Sequence, residues 1–141
     1  MNSSQSLLQP QEIAIDKFED ERGLLSFLEL PFDAKRFYML SQLDAEGTRG
    51  HHAHKNLTQF IFSAKGSFKV ELVTPVSRFV FELFPASNGL LIPPGYWRIL
   101  SNFANDAVCI VLASSPYDEA DYIRDYAQYE EWFERVYLSE G

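Results

Sequence analysis

The sequence predicts an all-β domain, built as a sandwich or barrel of short strands, that ends in one α-helix. The chain has 141 residues, of which 46% are apolar and 23% charged, and this suits a single domain over residues 1–141 with its own core. Aromatic residues make up 15%, which favours strands. Short apolar runs alternate with turn residues from Ile13 to Leu112, whereas the end of the chain has helical spacing.

Nine segments are predicted to be strands because turn residues such as Lys65-Gly66 and Asn88-Gly89 separate them. Two of the segments alternate apolar and polar residues with a period of two, as half-buried strands do. The polar residues 1–10 are expected to be loose. In chain order the predicted strands are Gln11–Lys17, Leu24–Leu30, Arg36–Leu43, Leu57–Ala64, Ser67–Val73, Arg78–Phe84, Leu90–Ile92, Arg98–Phe103 and Ala107–Ala113.

The last part of the chain changes its apolar period to three and four residues, which places one apolar stripe on a helix. We therefore predict a helix over about 118–138, packed on the outside of the sheets. Asp118 and Asp121 suit its N-terminal end. The stripe consists of Tyr122, Tyr126, Tyr129, Phe133 and Val136.

Charge and cysteine content exclude several classes of protein. The net charge is −8, so a general role in coating nucleic acid is excluded, although a few arginines could still hold one small anion. A single cysteine, Cys109, excludes an internal disulfide and a cysteine-based zinc site, and it fits a reducing compartment. The start of the chain resembles no signal peptide, and no apolar stretch is long enough to span a membrane. We expect a cytoplasmic protein with no membrane partner.

All three histidines lie within Arg49–Lys55, as His51, His52 and His54. On a strand, His52 and His54 point to the same face and His51 to the other, because side chains alternate. Two imidazoles that face a cavity can bind a metal or transfer protons. The alternative is a solvated, histidine-rich turn before a strand.

This segment and a later one resemble the cupin superfamily, whose fold is a double-stranded β-helix or jelly-roll barrel. The first reads His52-Ala-His54 followed by Gln59, and the second reads Pro93-Pro-Gly95 followed by Arg98. Cupins that bind a metal place a glutamate and a histidine at the two downstream positions. Because an amide and a guanidinium stand there instead, we expect no metal and no cofactor.

Further segments are similar to the dTDP-4-keto-6-deoxyglucose 3,4-ketoisomerases, the WxcM-like sugar-nucleotide cupins. This resemblance implies isomerisation of a dTDP-linked 4-keto-6-deoxyhexose in deoxy-amino-sugar biosynthesis, for surface glycans such as lipopolysaccharide O-antigen or an S-layer glycan. It also implies a homodimer that exchanges N-terminal strands. The matching segments include Asp20-Glu-Arg-Gly23, Arg36-Phe-Tyr38, Arg49–Lys55, Leu91–Trp97 and Tyr117–Arg124.

The reaction implied by this resemblance needs two groups that transfer protons inside a dry pocket. His52 is predicted to be the base that acts at carbon and His54 the shuttle for hydroxyl protons, although the order could be reversed. Arg98 is the candidate donor to a negatively charged enediolate, because it occupies a former ligand position. Tyr38 could add a hydroxyl group and Gln59 an amide.

The pyrophosphate of a dTDP-sugar requires cations, and arginine forks suit phosphate oxygens. Arg22, Arg49, Lys55 and Arg98 are the candidates. In the family, Arg with His at the positions of Arg22 and Arg98 accompanies galacto products, and Tyr with Arg accompanies gluco products. This chain has arginine at both positions, so the configuration at C4 stays open.

Two other functions remain as alternatives. A dTDP-sugar 3,5-epimerase shares the substrate class but uses a single histidine base with an opposed tyrosine, so the pair His52 and His54 argues against it. A non-catalytic sugar-binding cupin is the second alternative. The segment Tyr117–Arg124 also argues against the epimerase.

Overall fold

Two five-stranded antiparallel sheets face each other across one apolar core in the computed structural model, which describes residues 5–139. The core draws on both sheets, for example Ile61 and Val111 from one and Val70 and Leu100 from the other. The strands are β1 (Gln11–Ile13), β2 (Asp16–Asp20), β3 (Gly23–Phe27), β4 (Arg36–Leu40), β5 (Arg49–His54), β6 (Gln59–Lys65), β7 (Phe68–Thr74), β8 (Ser77–Leu83), β9 (Gly89–Ile92), β10 (Trp97–Ser101), β11 (Val108–Ala113) and β12 (Tyr122–Ile123).

The strand order confirms the predicted all-β jelly roll. One sheet runs β1-β9-β6-β11-β4 and the other β12-β5-β10-β7-β8, so most spatial neighbours are not neighbours in sequence. Among residues 5–139, no backbone pairing joins the two sheets, and the architecture is a two-sheet sandwich rather than a closed barrel. Burial alternates along β7, where Val70 and Leu72 are buried and Lys69 and Glu71 are half-exposed. This alternation is the period of two that predicted the strand.

Strand β5 carries a bulge opposite β10. Arg98 pairs with His52, but the next residue of β10 pairs with Gly50, so His51 is the extra residue on β5. Gly50 has a φ of +95°, and a Cβ there would lie 2.7 Å from the carbonyl oxygen of Arg98. Glycine is required at this position because the backbones of β5 and β10 approach so closely. His51 also has a positive φ, 57°, and its side chain faces solvent.

The predicted helix over about 118–138 is wrong in its first part. Residues Glu119–Asp121 form a 3₁₀ turn, and β12 pairs with β5, where Tyr122 lies opposite His54. Helix α1 spans Tyr126–Phe133 and is capped by Asp125, whose side chain accepts a hydrogen bond from the N–H of Gln128. Tyr122–Ile123 is extended because β5 offers its backbone hydrogen-bonding partners. A wider π-helical turn, Glu134–Leu138, continues α1.

Two residues of the predicted apolar stripe, Tyr129 and Phe133, pack from α1 onto a sheet, whereas Tyr126 is exposed. Tyr129 and Phe133 are buried against Ala53 and Trp97 of the histidine-bearing sheet. The hydroxyl of Tyr129 donates to the carbonyl oxygen of Gly95 at 2.7 Å. Helix α1 therefore covers the outer face of β5 and leaves the inner face free for the site. No helix among the described residues has the length and apolarity needed to cross a bilayer.

The N-terminal segment differs from the prediction of a loose residue 1–10 region. Residues 1–4 lie outside the described part. Gln5 donates its N–H to the carbonyl of Val136 at 2.9 Å, and the carbonyl of Leu8 accepts a hydrogen bond from the hydroxyl of Tyr96 at 2.8 Å. Leu7 packs against both core clusters. The predicted strand Gln11–Lys17 is divided, because its first residues pair with β9 and its last with β3.

Strands β2 and β3 form a separate hairpin that exposes apolar side chains. Every residue of β3 is exposed, and the rings of Phe18 and Phe27 stack at 5.6 Å between centroids. A groove of about 460 Å³ lies between this hairpin and the outer face of the β4-containing sheet. The large apolar residues exposed on the hairpin and beside it are Phe18, Leu24, Leu25, Phe27, Leu30, Phe37 and Met39.

Candidate active site

The structure brings His52 and His54 together on β5. Their ring centroids are 4.9 Å apart, and both rings contact the ring of Tyr122, at 5.0 and 4.4 Å. His52 is half-buried, and His54 has no exposed surface. His51 points away, and its Nε2 lies 2.8 Å from the hydroxyl oxygen of Thr48. The bulge therefore turns one histidine outward and leaves the other two as a pair.

A cavity of about 70 Å³ lies between the sheets beside His52. Polar side chains from both sheets line this cavity, so a small ligand there would contact polar groups on several sides. His54 lies behind His52 and does not line the cavity. The polar lining residues are Tyr38, Arg49, His52, Gln59 and Arg98, and the apolar ones are Leu40, Ile61, Ile92, Leu100 and Val111.

Arg98 is a buried cation held by neutral acceptors. It is 3% exposed, donates from Nη1 to Gln59 Oε1 at 2.5 Å and from Nη2 to the carbonyl of Tyr96 at 3.2 Å. Its Nε has no partner among residues 5–139, and no ion pair in that range joins Arg98 to a carboxylate. Burial lowers the pKa of Arg98 to about 10, so the guanidinium remains charged at neutral pH. A buried positive charge without a counter-ion favours binding of an anion.

Hydrogen bonds fix the tautomers of both histidines. Nδ1 of His52 lies 3.1 Å from the carbonyl oxygen of Gly50, and Nδ1 of His54 lies 2.9 Å from Oδ2 of Asp121. A carbonyl oxygen and an ionised carboxylate only accept, so each Nδ1 carries the proton. Each Nε2 then keeps a free lone pair, and both are buried without a hydrogen-bond partner among residues 5–139. Two bare imidazole bases therefore lie side by side.

Burial and charge keep both rings neutral at neutral pH. Burial, and then the positive charge of Arg98, lower the pKa of His52 to about 4. The same two causes lower the pKa of His54. Asp121 acts in the opposite direction on His54, since its carboxylate stabilises an imidazolium. Neutral imidazoles accept protons, which is the state that a general base requires.

Comparisons with known proteins place the chain in a family. The model of the FdtA family, described as WxcM-like, C-terminal, matches residues 9–134. The chain belongs to this family. It is 35% identical over 130 residues to the TDP-4-oxo-6-deoxy-alpha-D-glucose-3,4-oxoisomerase of Aneurinibacillus thermoaerophilus, covering 89% of this chain and 94% of that protein.

Solved structures of 3,4-ketoisomerases have the same fold as this WxcM-like chain. QdtA from Thermoanaerobacterium thermosaccharolyticum, solved as a histidine variant with TDP-4-keto-6-deoxyglucose, is 36% identical with a TM-score of 0.88 over 95% of this chain and all of that one. A 3,4-ketoisomerase from Helicobacter canadensis is 33% identical with a TM-score of 0.85, over 90% of this chain and 98% of that one.

The side chains at the former cupin ligand positions do not fit a divalent cation. The amide oxygen of Gln59 already accepts from the Arg98 guanidinium, and a second positive charge beside Arg98 would be repelled. Among the described residues, no group of three or more His, Cys, Asp or Glu side chains is placed to hold a metal ion.

Two predicted substrate-binding residues lie away from the cavity of this WxcM-like chain. Arg22 sits at the tip of the β2–β3 hairpin, where its side chain is 84% exposed and bonded to Asp20. Lys55 lines a different surface groove, together with Arg124 and Trp132. The single chain therefore brings together Tyr38, Arg49, Gln59, Arg98 and the two histidines, but not Arg22 or Lys55.

Sequence reasoning missed two residues that contact the histidines. Asp121 was interpreted as a helix start and Tyr122 as part of an apolar stripe, yet one bonds His54 and the other packs against both rings. Asp121 is 67 residues from His54 along the chain, so local patterns do not reveal the contact. The similarity of Tyr117–Arg124 to the 3,4-ketoisomerases was the signal that could have identified these two residues, because a helix alone does not require so specific a sequence.

Proposed function

We propose that this protein is a sugar-nucleotide 3,4-ketoisomerase that converts dTDP-4-keto-6-deoxyglucose into a dTDP-3-keto-6-deoxyhexose. One observation carries the proposal: the bare Nε2 of His52 shares a small cavity with the uncompensated charge of Arg98. A base next to a fixed cation suits removal of a proton that leaves an anion behind. The names of the relatives point to the same reaction.

The first half of the reaction breaks the C3–H bond, which the neighbouring C4 ketone acidifies. His52 Nε2 takes this proton, the electron pair forms a C3–C4 double bond, and the C4 oxygen becomes negative. In the second half, the C3 hydroxyl loses its proton and becomes the new ketone, the C4 oxygen gains a proton and becomes a hydroxyl group, and the protonated His52 delivers a proton to C4. His54, whose ring contacts that of His52, is the proposed shuttle that moves the hydroxyl proton from the C3 oxygen to the C4 oxygen. No oxidant or other co-reactant is needed, because the carbonyl only changes place.

Arg98 stabilises the enediolate between these steps. Its interaction grows as negative charge develops, and this lowers the barrier rather than only improving binding. Gln59 fixes the guanidinium and also donates to the hydroxyl of Tyr38 at 3.3 Å, so the three side chains form one chain across the cavity. Their arrangement exists before substrate arrives, and little reorganisation is needed.

The nucleotide end is proposed to extend from the cavity along Arg49, which lines it and is exposed on β5. Lys55, at the end of the same strand segment, is a second cation for the pyrophosphate. Both positive groups stand out on a chain with a net charge of −8. The lone, buried Cys109 suits enzyme action in the reducing cytoplasm.

We also propose a homodimer that covers the hairpin β2–β3. Leu24, Phe27 and Phe37 line the apolar groove beside it, and such a continuous apolar surface is typical of a protein interface. The two-stranded hairpin is marginal alone and gains stability when it packs on another surface. A hairpin that crosses to a second copy carries Arg22 with it, which is how we propose Arg22 reaches a nucleotide.

Proton NMR in deuterated water tests the activity directly. After incubation with dTDP-4-keto-6-deoxyglucose and EDTA, the C3 proton signal is expected to disappear. The product is expected to be a 3-keto sugar that carries deuterium at C4. Exchange at C5 would show a 3,5-epimerase instead, and binding without exchange would show a sugar-binding protein. The configuration at C4 of the product is read from the same spectra.

A further inference from the structure

The geometry points to Asp121 as a positioning residue that fixes the proton-accepting state of His54 in this reaction. The inference rests on the proposed function and adds a residue from outside the cavity. Oδ2 of Asp121 lies 2.9 Å from His54 Nδ1, and the His54 side chain is completely buried. Such a contact holds the ring by its far nitrogen and leaves Nε2 free on the other side.

Asp121 is itself held rigidly, so it can set the orientation of the ring. Its Oδ1 accepts the N–H of Asn56 at 2.6 Å, and its carbonyl accepts the N–H of Lys55 at 3.0 Å. The next residues, Tyr122 and Ile123, pair with His54 and Ala53 of β5. The carboxylate therefore meets His54 from a strand bonded to the same strand that carries the ring.

The two histidines differ in the charge of their supports. His52 donates to the neutral carbonyl of Gly50, whereas His54 donates to a carboxylate. A carboxylate stabilises the imidazolium that forms when a ring holds a proton between two steps. Burial and the charges of Arg98, His52, Arg36 and Arg124 lower the pKa of His54. The Asp121 carboxylate at Nδ1 makes a protonated His54 less unfavourable than it would be beside a neutral acceptor.

Asp121→Asn tests this inference, because asparagine keeps the size and has a single acceptor oxygen. If that oxygen keeps the bond from the N–H of Asn56, the NH2 group faces His54 Nδ1 and opposes a proton there. In Ser-His-Asp triads the same change costs roughly 10⁴-fold in turnover by selecting the wrong tautomer. Here we expect kcat to fall by about 10²-fold or more, with KM changed by less than about threefold. Asp121→Glu is expected to recover part of the loss, since it restores an acceptor.

Asp118→Asn is the matched control. Asp118 lies three positions earlier in the same segment, and its replacement by asparagine removes the same negative charge. Its side chain caps the 3₁₀ turn by accepting a hydrogen bond from the N–H of Ala120. Asparagine caps equally well, so kcat is expected to stay unchanged. An equal loss in both variants would show a general effect of charge or folding and would overturn the inference.

¹⁵N NMR of the imidazole reads the tautomer without any turnover. In the wild-type protein we expect His54 to carry its proton on Nδ1, with Nε2 unprotonated, and Asp121→Asn to shift this population. A wild-type His54 protonated on Nε2 overturns the inference even if the variant does not fold. Wild-type kcat in a folded Asp121→Asn variant also overturns it. Absence of C3 exchange in the wild type would refute the proposed reaction instead, and the tautomer measurement would still decide the contact.

Discussion

Soluble proteins usually bury apolar side chains and expose polar ones. The strand pair β5–β10 and the hairpin β2–β3 depart from this rule in opposite ways. On β5 and β10, half-buried His52 and buried Arg98 line the cavity, and no carboxylate among residues 5–139 forms an ion pair with either. On the hairpin, Phe18 and Leu25 are about as exposed as polar surface residues, at 60% and 61%. Buried polar groups indicate a small ligand, and exposed apolar groups indicate a protein surface. The β5–β10 pair therefore indicates a ligand-binding site, and the hairpin indicates a surface that binds another protein chain.

Removal of the His52 ring should give the largest effect on the histidine side of this comparison. His52→Asn is expected to lower kcat by about 10²–10⁴-fold, because the base in the cavity is lost. Turnover of dTDP-4-keto-6-deoxyglucose, with circular dichroism as a check on folding, measures it.

His51→Asn is the control on the same strand. His51 faces solvent, and its ring forms a hydrogen bond with the hydroxyl group of Thr48, so we expect turnover within about threefold of wild type. If His51→Asn were inactive and His52→Asn active, the bulge of β5 would be placed one residue away from where the structure has it.

Replacement of Arg98 should have the second-largest effect. Arg98→Lys is expected to lower kcat by about 10²–10³-fold, because an ammonium group lacks two fixed parallel donors. Arg98→His should keep exchange at C3 and retain or shift the product towards the galacto configuration, as the family pattern implies. Wild-type rate and product in both variants would remove Arg98 from the reaction.

A charge placed on the hairpin should sharpen the other half of the comparison. Leu24→Asp puts a carboxylate beside the apolar groove and is expected to weaken self-association by at least about tenfold, measured by sedimentation equilibrium. Val80→Asp is the matched control, since Val80 on β8 is also aliphatic and similarly exposed, at 52% against 57%. A wild-type monomer, or equal effects of both changes, would contradict the proposed dimer.

The pH dependence of stability is the smallest expected effect and belongs to the buried side. His52 has a pKa of about 4 when folded and 6.5 as a free side chain, so the unfolded chain binds more protons between these values. Stability should therefore fall as the pH falls from about 6.5. Urea unfolding at pH 7 and pH 5 should show a larger drop in wild type than in His52→Asn, and equal drops would contradict the lowered pKa.

Elements with a clear period were predictable from the sequence, whereas elements whose partners lie far along the chain were not. Alternation in Ser67–Val73 and Arg78–Phe84 predicted β7 and β8 to within a residue at each end. The segment 118–125 was predicted to be helical because Tyr122 fits the apolar spacing of α1. Tyr122–Ile123 is a strand instead because it pairs with β5, and no local pattern encodes that pairing.

The candidate site shows the same division. His52, Gln59 and Arg98 were expected to share a cavity from the cupin-like spacing, and they do. Asp121 could not be predicted, because its contact with His54 depends on how the chain returns after β11. The sequence did not show that Arg22 would lie on an exposed hairpin, since a hairpin that packs on another molecule has no signature within its own chain.

The uncompensated charge of Arg98 has a consequence for heat tolerance. Among residues 5–139 the guanidinium is held by neutral oxygens, which lowers the stability of the empty protein, so an apolar replacement such as Arg98→Met should raise the melting temperature while it lowers turnover. An anion that reaches the cavity should raise the melting temperature of wild type more than that of the variant. Selection for thermal resistance alone would therefore remove the residue on which catalysis depends.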